Sequence, residues 1–322
     1  MSDRLTVAVV GGGPWGQALA LAARRAGSEV TLVSRRAPPE GSELKHEVEL
    51  GAAAASRLIL LAVPSSSASE VLQALGPRLD GGHFLLHGIR GLVGDELAPI
   101  SSLVRAHTPV RRIGALGGPV LVDELRAGTP SVMVVGSHFQ EVLDASREAF
   151  EHDALRLYMT RDLTGLEWAS ALTALLSIAE GFALASRAGP GIIAAFTTRA
   201  VHEAARIAVA AGGEQSTLLG LAGLGDLLAA VNQPGRPEVI LGSALASGLS
   251  LDEARARVGL RVEAIELLPR LLPWAETHKV RIPIVSAIAD AVLKGAPPQS
   301  LIRRLMTEPQ SSADRAPRNS AG

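Results

Sequence analysis

The run Val7-Ala8-Val9-Val10 passes directly into Gly11-Gly12-Gly13-Pro14-Trp15-Gly16, and a helical pattern opens immediately after it. Strand, Gly-x-Gly-x-x-Gly turn and helix, in that order, make the fingerprint that holds the pyrophosphate of a dinucleotide. Gly11 allows the tight turn, Gly13 lets the backbone approach the anion, and Gly16 permits close packing of helix on strand. Pro14 and Trp15 complete the set of binding residues expected there. In a chain with 33 glycines a cluster is often only a turn, so the flanking strand and helix carry the argument. The second strand ends at Thr31-Leu32-Val33 and leads into Ser34-Arg35-Arg36. That is about 20 residues past Gly16, where an NAD site places an acid for the ribose 2′-hydroxyl. No acid stands there; two guanidiniums and a hydroxyl suit a 2′-phosphate, so NADP is favoured over NAD. Two solvated arginines on a surface loop are the plain alternative.

Such a site must sit at the ends of parallel strands, and the first half of the chain supplies them. Short β-rich runs at Leu5–Val10, Glu29–Val33, Arg57–Ala62, Phe84–His87, Arg112–Leu116 and Ser131–Val135 alternate with helical patterns, notably Trp15–Ala26 and Ser67–Leu75. From about Asp162 helical periodicity takes over, through Leu166–Arg187, Gly191–Ala211 and several segments from Leu251 to Met306. The expected fold class is α/β: a Rossmann-like doubly wound sheet domain over 1–158, followed by an all-α helical domain over 159–306. The polar stretch 307–322, with Pro309 and Pro317 and no apolar repeat, reads as a disordered tail. With no cysteine there is neither a disulfide nor a Cys-ligated metal, and a cytoplasmic location is the simplest expectation. A net charge of -1 and 3% aromatic residues argue against a nucleic-acid partner. No membrane span is expected, because the apolar run Ala169–Ala185 is interrupted by Glu180 and Gly181 and reads as a buried core helix. The only lysines are Lys45, Lys279 and Lys294, so nothing between 46 and 278 supplies an ammonium group to a site.

The fingerprint with Trp15 inside it and Gln17-Ala18-Leu19-Ala20 after it resembles the start of NAD(P)-dependent glycerol-3-phosphate dehydrogenase. The likeness continues through Ala62-Val63-Pro64-Ser65, His87-Gly88-Ile89, Gly118-Pro119, Gly128-Thr129-Pro130 and Thr198-Arg199. It is sharpest at Gly220-Leu221-Ala222-Gly223-Leu224-Gly225-Asp226-Leu227, ends with Val262-Glu263, and covers roughly Leu5 to Met306. The resemblance implies hydride transfer between a nicotinamide cofactor and a small, phosphorylated alcohol/ketone pair, with a possible homodimer. It also implies that Val122 and Glu263 contact cofactor, that His87, Gly118, Asp226 and Arg236 face substrate, and that Asp226 is catalytic.

The departures lie in the chemistry. The family's lysine falls at Thr173 and its following asparagine at Ala174; its earlier Lys-Gly lysine is His87, and Val120 and Ala230 replace hydroxyl side chains. The family's phosphate clamp falls near Arg236-Pro237-Glu238, where Pro237 stands on the arginine position. A one-residue shift lets Arg236 take that role, yet Glu238 would repel a phosphate; Arg187 is another candidate replacement. Carbonyl reduction needs a proton donor, and an imidazole at the C-terminal end of a strand is placed to be one, so His87 is the expected acid, beside the plain reading of a satisfied polar residue. Asp226, lacking an ammonium partner, is expected to be raised in pKa by burial, or else to cap the following helix. Arg199, His202, Glu203 and Arg206 share a helix face and form either an ion-paired surface or an anion site. Three functions follow: an NADP-dependent oxidoreductase of this family with an altered site, a catalytically lapsed cofactor-binding sensor, or an interaction module. Intact Gly11, Gly13 and Gly16 argue against the third.

Overall fold

The computed structural model describes residues 5–38 and 40–297, and the expected tail at 307–322 lies outside them. Among these residues one sheet has eight strands: β1 (Thr6–Val10), β2 (Glu29–Val33), β3 (Lys45–Glu47), β4 (Leu58–Leu61), β5 (Phe84–His87), β6 (Arg112–Gly117), β7 (Ser131–Gly136) and β8 (Leu155–Thr160). Their spatial order is β3-β2-β1-β4-β5-β6-β7-β8. Helices α1 (Pro14–Arg25), α2 (Ser65–Leu75), α3 (Ile100–His107), α4 (Val122–Ala127) and α5 (Gln140–Phe150) connect the strands.

Strands β1 and β4 are buried on both faces, which is why they read as continuous apolar runs. Their alternate residues feed two cores. Val7, Val9, Leu58 and Leu60 pack under α1, α4 and α5, while Ala8, Val10, Ile59 and Leu61 share a core with α2 and α3. All neighbouring strands are parallel except β6 and β7, which pair antiparallel. A uniformly parallel run through Ser131–Val135 is thereby corrected. The six-residue α4 spans about 9 Å, too short to carry the chain back along a six-residue strand of about 20 Å. Two strands were not foreseen: β3, a three-residue edge strand, and β8, whose alternating burial marks the opposite edge. The expected domain division at 158/159 falls inside β8.

The second half holds α6 (Leu163–Ala185), α7 (Pro190–Ala210), α8 (Gln215–Leu219), α9 (Asp226–Val231), α10 (Pro237–Ala246), α11 (Leu251–Val258), α12 (Glu263–Thr277) and α13 (Pro283–Lys294). Helix α6 is apolar nearly all round because it is buried nearly all round. By length and composition it could cross a membrane, but 83% of its apolar window is enclosed by the rest of the molecule. Asp162 starts it: Oδ1 accepts from the Gly165 N–H at 2.8 Å, and Oδ2 from the Glu214 N–H and the Thr217 hydroxyl. Gly181, which interrupts the apolar run, meets Gly242 where α6 crosses α10. A Cβ on Gly242 would stand 1.9 Å from the Ile178 carbonyl oxygen, so only glycine admits that crossing. Glu203 of α7 is buried, and its carboxylate accepts from the Ile284 and Val285 N–H groups at the start of α13. It therefore anchors a helix end and does not serve an exposed anion site.

Candidate active site

A cleft of about 1150 Å³ opens at the C-terminal ends of β1, β2 and β4, where the strand order reverses, and continues to the helical half at Arg236 and Glu263. Its outer end is the glycine-rich turn. Gly11 has φ +124°, and a Cβ there would meet the Ala62 carbonyl oxygen at 2.5 Å; a Cβ on Gly16 would meet the Gly11 carbonyl oxygen at 1.9 Å. Nothing lies within 4 Å of a Cβ built on Gly13. That open space faces the start of α1, which has no side-chain cap and no acid in its first turn, leaving its N–H groups and dipole for an anion. Trp15 lines the cleft, and its indole N–H donates to the Gly88 carbonyl at 2.8 Å.

Ser34, Arg35 and Arg36 line the same end, as does Pro14. The Ser34 hydroxyl accepts from the Arg36 backbone N–H at 2.9 Å, which orders the turn. Neither guanidinium has an ion-pair partner among the described residues. Val122, the first residue of α4, lines the cleft wall. Glu263 sits at the first turn of α12 and accepts from the Ser65 N–H through Oε1 at 2.6 Å. Its Oε2 is buried with no partner among the described residues, and burial raises its pKa against the opposing Ser65 bonds. An open Gly13 approach, an uncapped helix start, unpaired arginines and an orphaned carboxyl oxygen all fit a dinucleotide.

The inner end is organised around Asp226, which α9 delivers fully buried. Arg90 Nη1 donates to Asp226 Oδ2 at 2.8 Å, and Thr173 Oγ1 donates to the same oxygen at 2.6 Å. Arg236 donates from Nη1 to Oδ1 at 3.0 Å and from Nη2 to Oδ2 at 3.3 Å. Burial alone would raise this carboxyl, but Arg90 and Arg236 prevail and hold it below the usual carboxylate range. The expectation of a raised pKa is corrected: two guanidiniums stand where no ammonium is available. Asp226 does not cap α9 either. It lies beneath Arg90 and Arg236, which line the cleft while Asp226 does not.

His87 is placed differently from its expected role. It is 1% exposed, is not among the cleft-lining residues, and its Nε2 lies 3.0 Å from Glu167 Oε1. Glu167 also accepts from the N–H and hydroxyl of Ser101, so His87 belongs to a buried network joining β5, α3 and α6. Gly118 contributes a carbonyl that accepts from Arg90 Nη2 at 3.4 Å. Arg187 is not among the cleft-lining residues. Arg90 is the residue that sequence reasoning missed. The only signal was its position three residues beyond the strand-end His87, in a loop that also carries Gly88 and Ile89 to the cleft wall.

Residues 37–143 and 162–303 match the models for the N- and C-terminal parts of NAD-dependent glycerol-3-phosphate dehydrogenase. The chain is 30% identical to glycerol-3-phosphate dehydrogenase [NAD(P)+] of Acinetobacter baumannii, over 94% of this chain and 90% of the relative. It is 32% identical to the protein of the same description from Acinetobacter baylyi, with the same coverage. The crystal structure of glycerol-3-phosphate dehydrogenase from Coxiella burnetii superposes with a TM-score of 0.86 at 26% identity, covering 95% of this chain and 99% of that one. The fold agrees with these likenesses, and the chain belongs to the NAD-dependent glycerol-3-phosphate dehydrogenase family.

Proposed function

We propose that this NAD(P)-dependent oxidoreductase transfers hydride between NADP(H) and a small alcohol/ketone pair, with Arg90 as the group that faces the reacting oxygen. The observation that carries this reading is the continuity of one cleft from the glycine-rich turn to Arg90. Gly13 and the start of α1 hold the pyrophosphate, Arg35 and Arg36 the 2′-phosphate, and Glu263 accepts a donor from the bound ligand. When bound, the reduced nicotinamide supplies the hydride. As the carbonyl carbon takes it, the π pair moves onto oxygen, where the Arg90 guanidinium stabilises the developing charge. A guanidinium stays protonated at working pH, so Arg90 polarises and does not give up its proton; water entering the open cleft protonates the alkoxide.

Asp226, Thr173 and the Gly118 carbonyl position Arg90 and do not touch substrate. Beside the enclosed Arg236, Arg90 brings Asp226 a second cation from a different element, and it is the one that stays about a quarter exposed to the cleft. Arg90→Met tests the role. Ketone reduction should fall by about 10²-fold or more while NADPH affinity, measured by calorimetry, stays near that of the parent. Full turnover in Arg90→Met would remove Arg90 from the chemistry.

A further inference from the structure

The cations along the cleft are not equally available. At the glycine-rich end Arg35 and Arg36 have no ion-pair partner among the described residues. At the inner end every positive charge is matched. Arg236, with its side chain only 8% exposed, spends both terminal nitrogens on Asp226 and its Nε on Glu238 Oε2 at 3.3 Å. Arg90 is paired with Asp226 at 2.8 Å, and Arg261 with Glu266 at 2.6 Å. Two guanidiniums against the carboxylates of Asp226 and Glu238 leave no net charge around the reacting position. Glu238 itself lines the cleft, with its side chain 12% exposed and its carboxylate beside Arg236.

A phosphate ester brings a dianion. To be held at the inner end it would need Arg236 to leave a buried carboxylate, with the other carboxylate still beside it, and breaking such a pair is strongly unfavourable. A hydroxyl or carbonyl asks for less: Arg90 is about a quarter exposed on its side chain and keeps Nε and outer hydrogens for one oxygen. We infer that the inner cleft takes an uncharged, hydroxyl-bearing ketone or alcohol, and that Glu238 is the specificity-determining residue that closes it to phosphate esters. This rests on the oxidoreductase reading for its substrate, but the exclusion by Glu238 stands on the ion pairs alone.

The test is binding of glycerol 3-phosphate and of glycerol to the NADP+-saturated protein by calorimetry, beside reduction of dihydroxyacetone and its phosphate. Wild type should bind glycerol 3-phosphate no more tightly than glycerol. Glu238→Gln keeps the side-chain shape, frees Arg236 Nε from its carboxylate and leaves the inner end one charge positive; it should tighten glycerol 3-phosphate by at least about tenfold, the worth of one charge-assisted bond. Glu238→Ser serves the same purpose if the glutamine variant fails to fold. Wild-type preference for the phosphate ester, or no gain in either folded variant, overturns the inference. A gain in binding with no ketone reduced by wild type would sink the oxidoreductase reading and leave the exclusion by Glu238 standing.

Discussion

Single residues decide two properties of the cleft. Arg35 and Arg36 line it without ion-pair partners among the described residues, so a 2′-phosphate meets unspent charge-assisted donors. NADPH should bind more tightly than NADH by about 1 to 3 kcal/mol, and the double change Arg35→Ala with Arg36→Ala should erase most of that difference in a calorimetric titration. Equal affinities in wild type would rule the role out. Thr173 is wholly buried against Asp226. Thr173→Lys would press a third cation and extra methylenes onto a carboxylate that already bears two guanidiniums, costing about 1 to 3 kcal/mol. Urea unfolding should show that loss with no gain in turnover; a stable and faster variant would mean that Arg90 moves aside. The glycine-rich turn was legible in the sequence because its requirements are local. Arg90 was not, since its partner Asp226 is 136 positions away and nothing between them signals the contact. His87 misled for the same reason: its strand-end position is readable, but Glu167, 80 residues later, claims the ring.

At the scale of elements, helix α6 carries a titrating group inside its packing. Glu180 is 3% exposed and accepts from the Thr197 hydroxyl of α7; burial, opposed by that bond, pushes its pKa up to about 7 from 4.5. The unfolded chain ionises first as pH rises, so the stability contributed by protonated Glu180 is fully present below about pH 4.5 and is lost by about pH 7, on the order of 3 kcal/mol. Glu180→Gln should match wild type near pH 4.5 and exceed it in stability at pH 8, as read from denaturation midpoints. A constant difference across that range would show that Glu180 is ionised in the fold. Long elements such as α6 and β1 were legible because their burial dictates their composition. The edge strands β3 and β8 were not, being short or half-exposed, and the reversal at β7 depends on how far α4 reaches.

The whole molecule has two halves by secondary structure but shares a core. One continuous apolar cluster runs from Ala8 and Ile59 in the sheet through Leu166 and Leu175 of α6 to Leu268 of α12 and Ile288 of α13. Exposing either half strips the other of part of its interior, so sheet and helices should unfold together. Near-ultraviolet signal from Trp168 and Trp274, whose rings lie 4.8 Å apart in the helical half, should vanish at the same denaturant concentration as the far-ultraviolet signal of the chain. Two separated transitions would show that the halves are independent.

The indole of Trp15 has a consequence of another kind. Of the three tryptophans, Trp168 and Trp274 are enclosed in the helical core, while Trp15 stands in the cleft wall with its N–H held on the Gly88 carbonyl. The clasp fixes the ring, so its emission is that of a single environment. Reduced nicotinamide absorbs where indole emits, and the protein thereby carries a native optical probe that dims when the cleft fills.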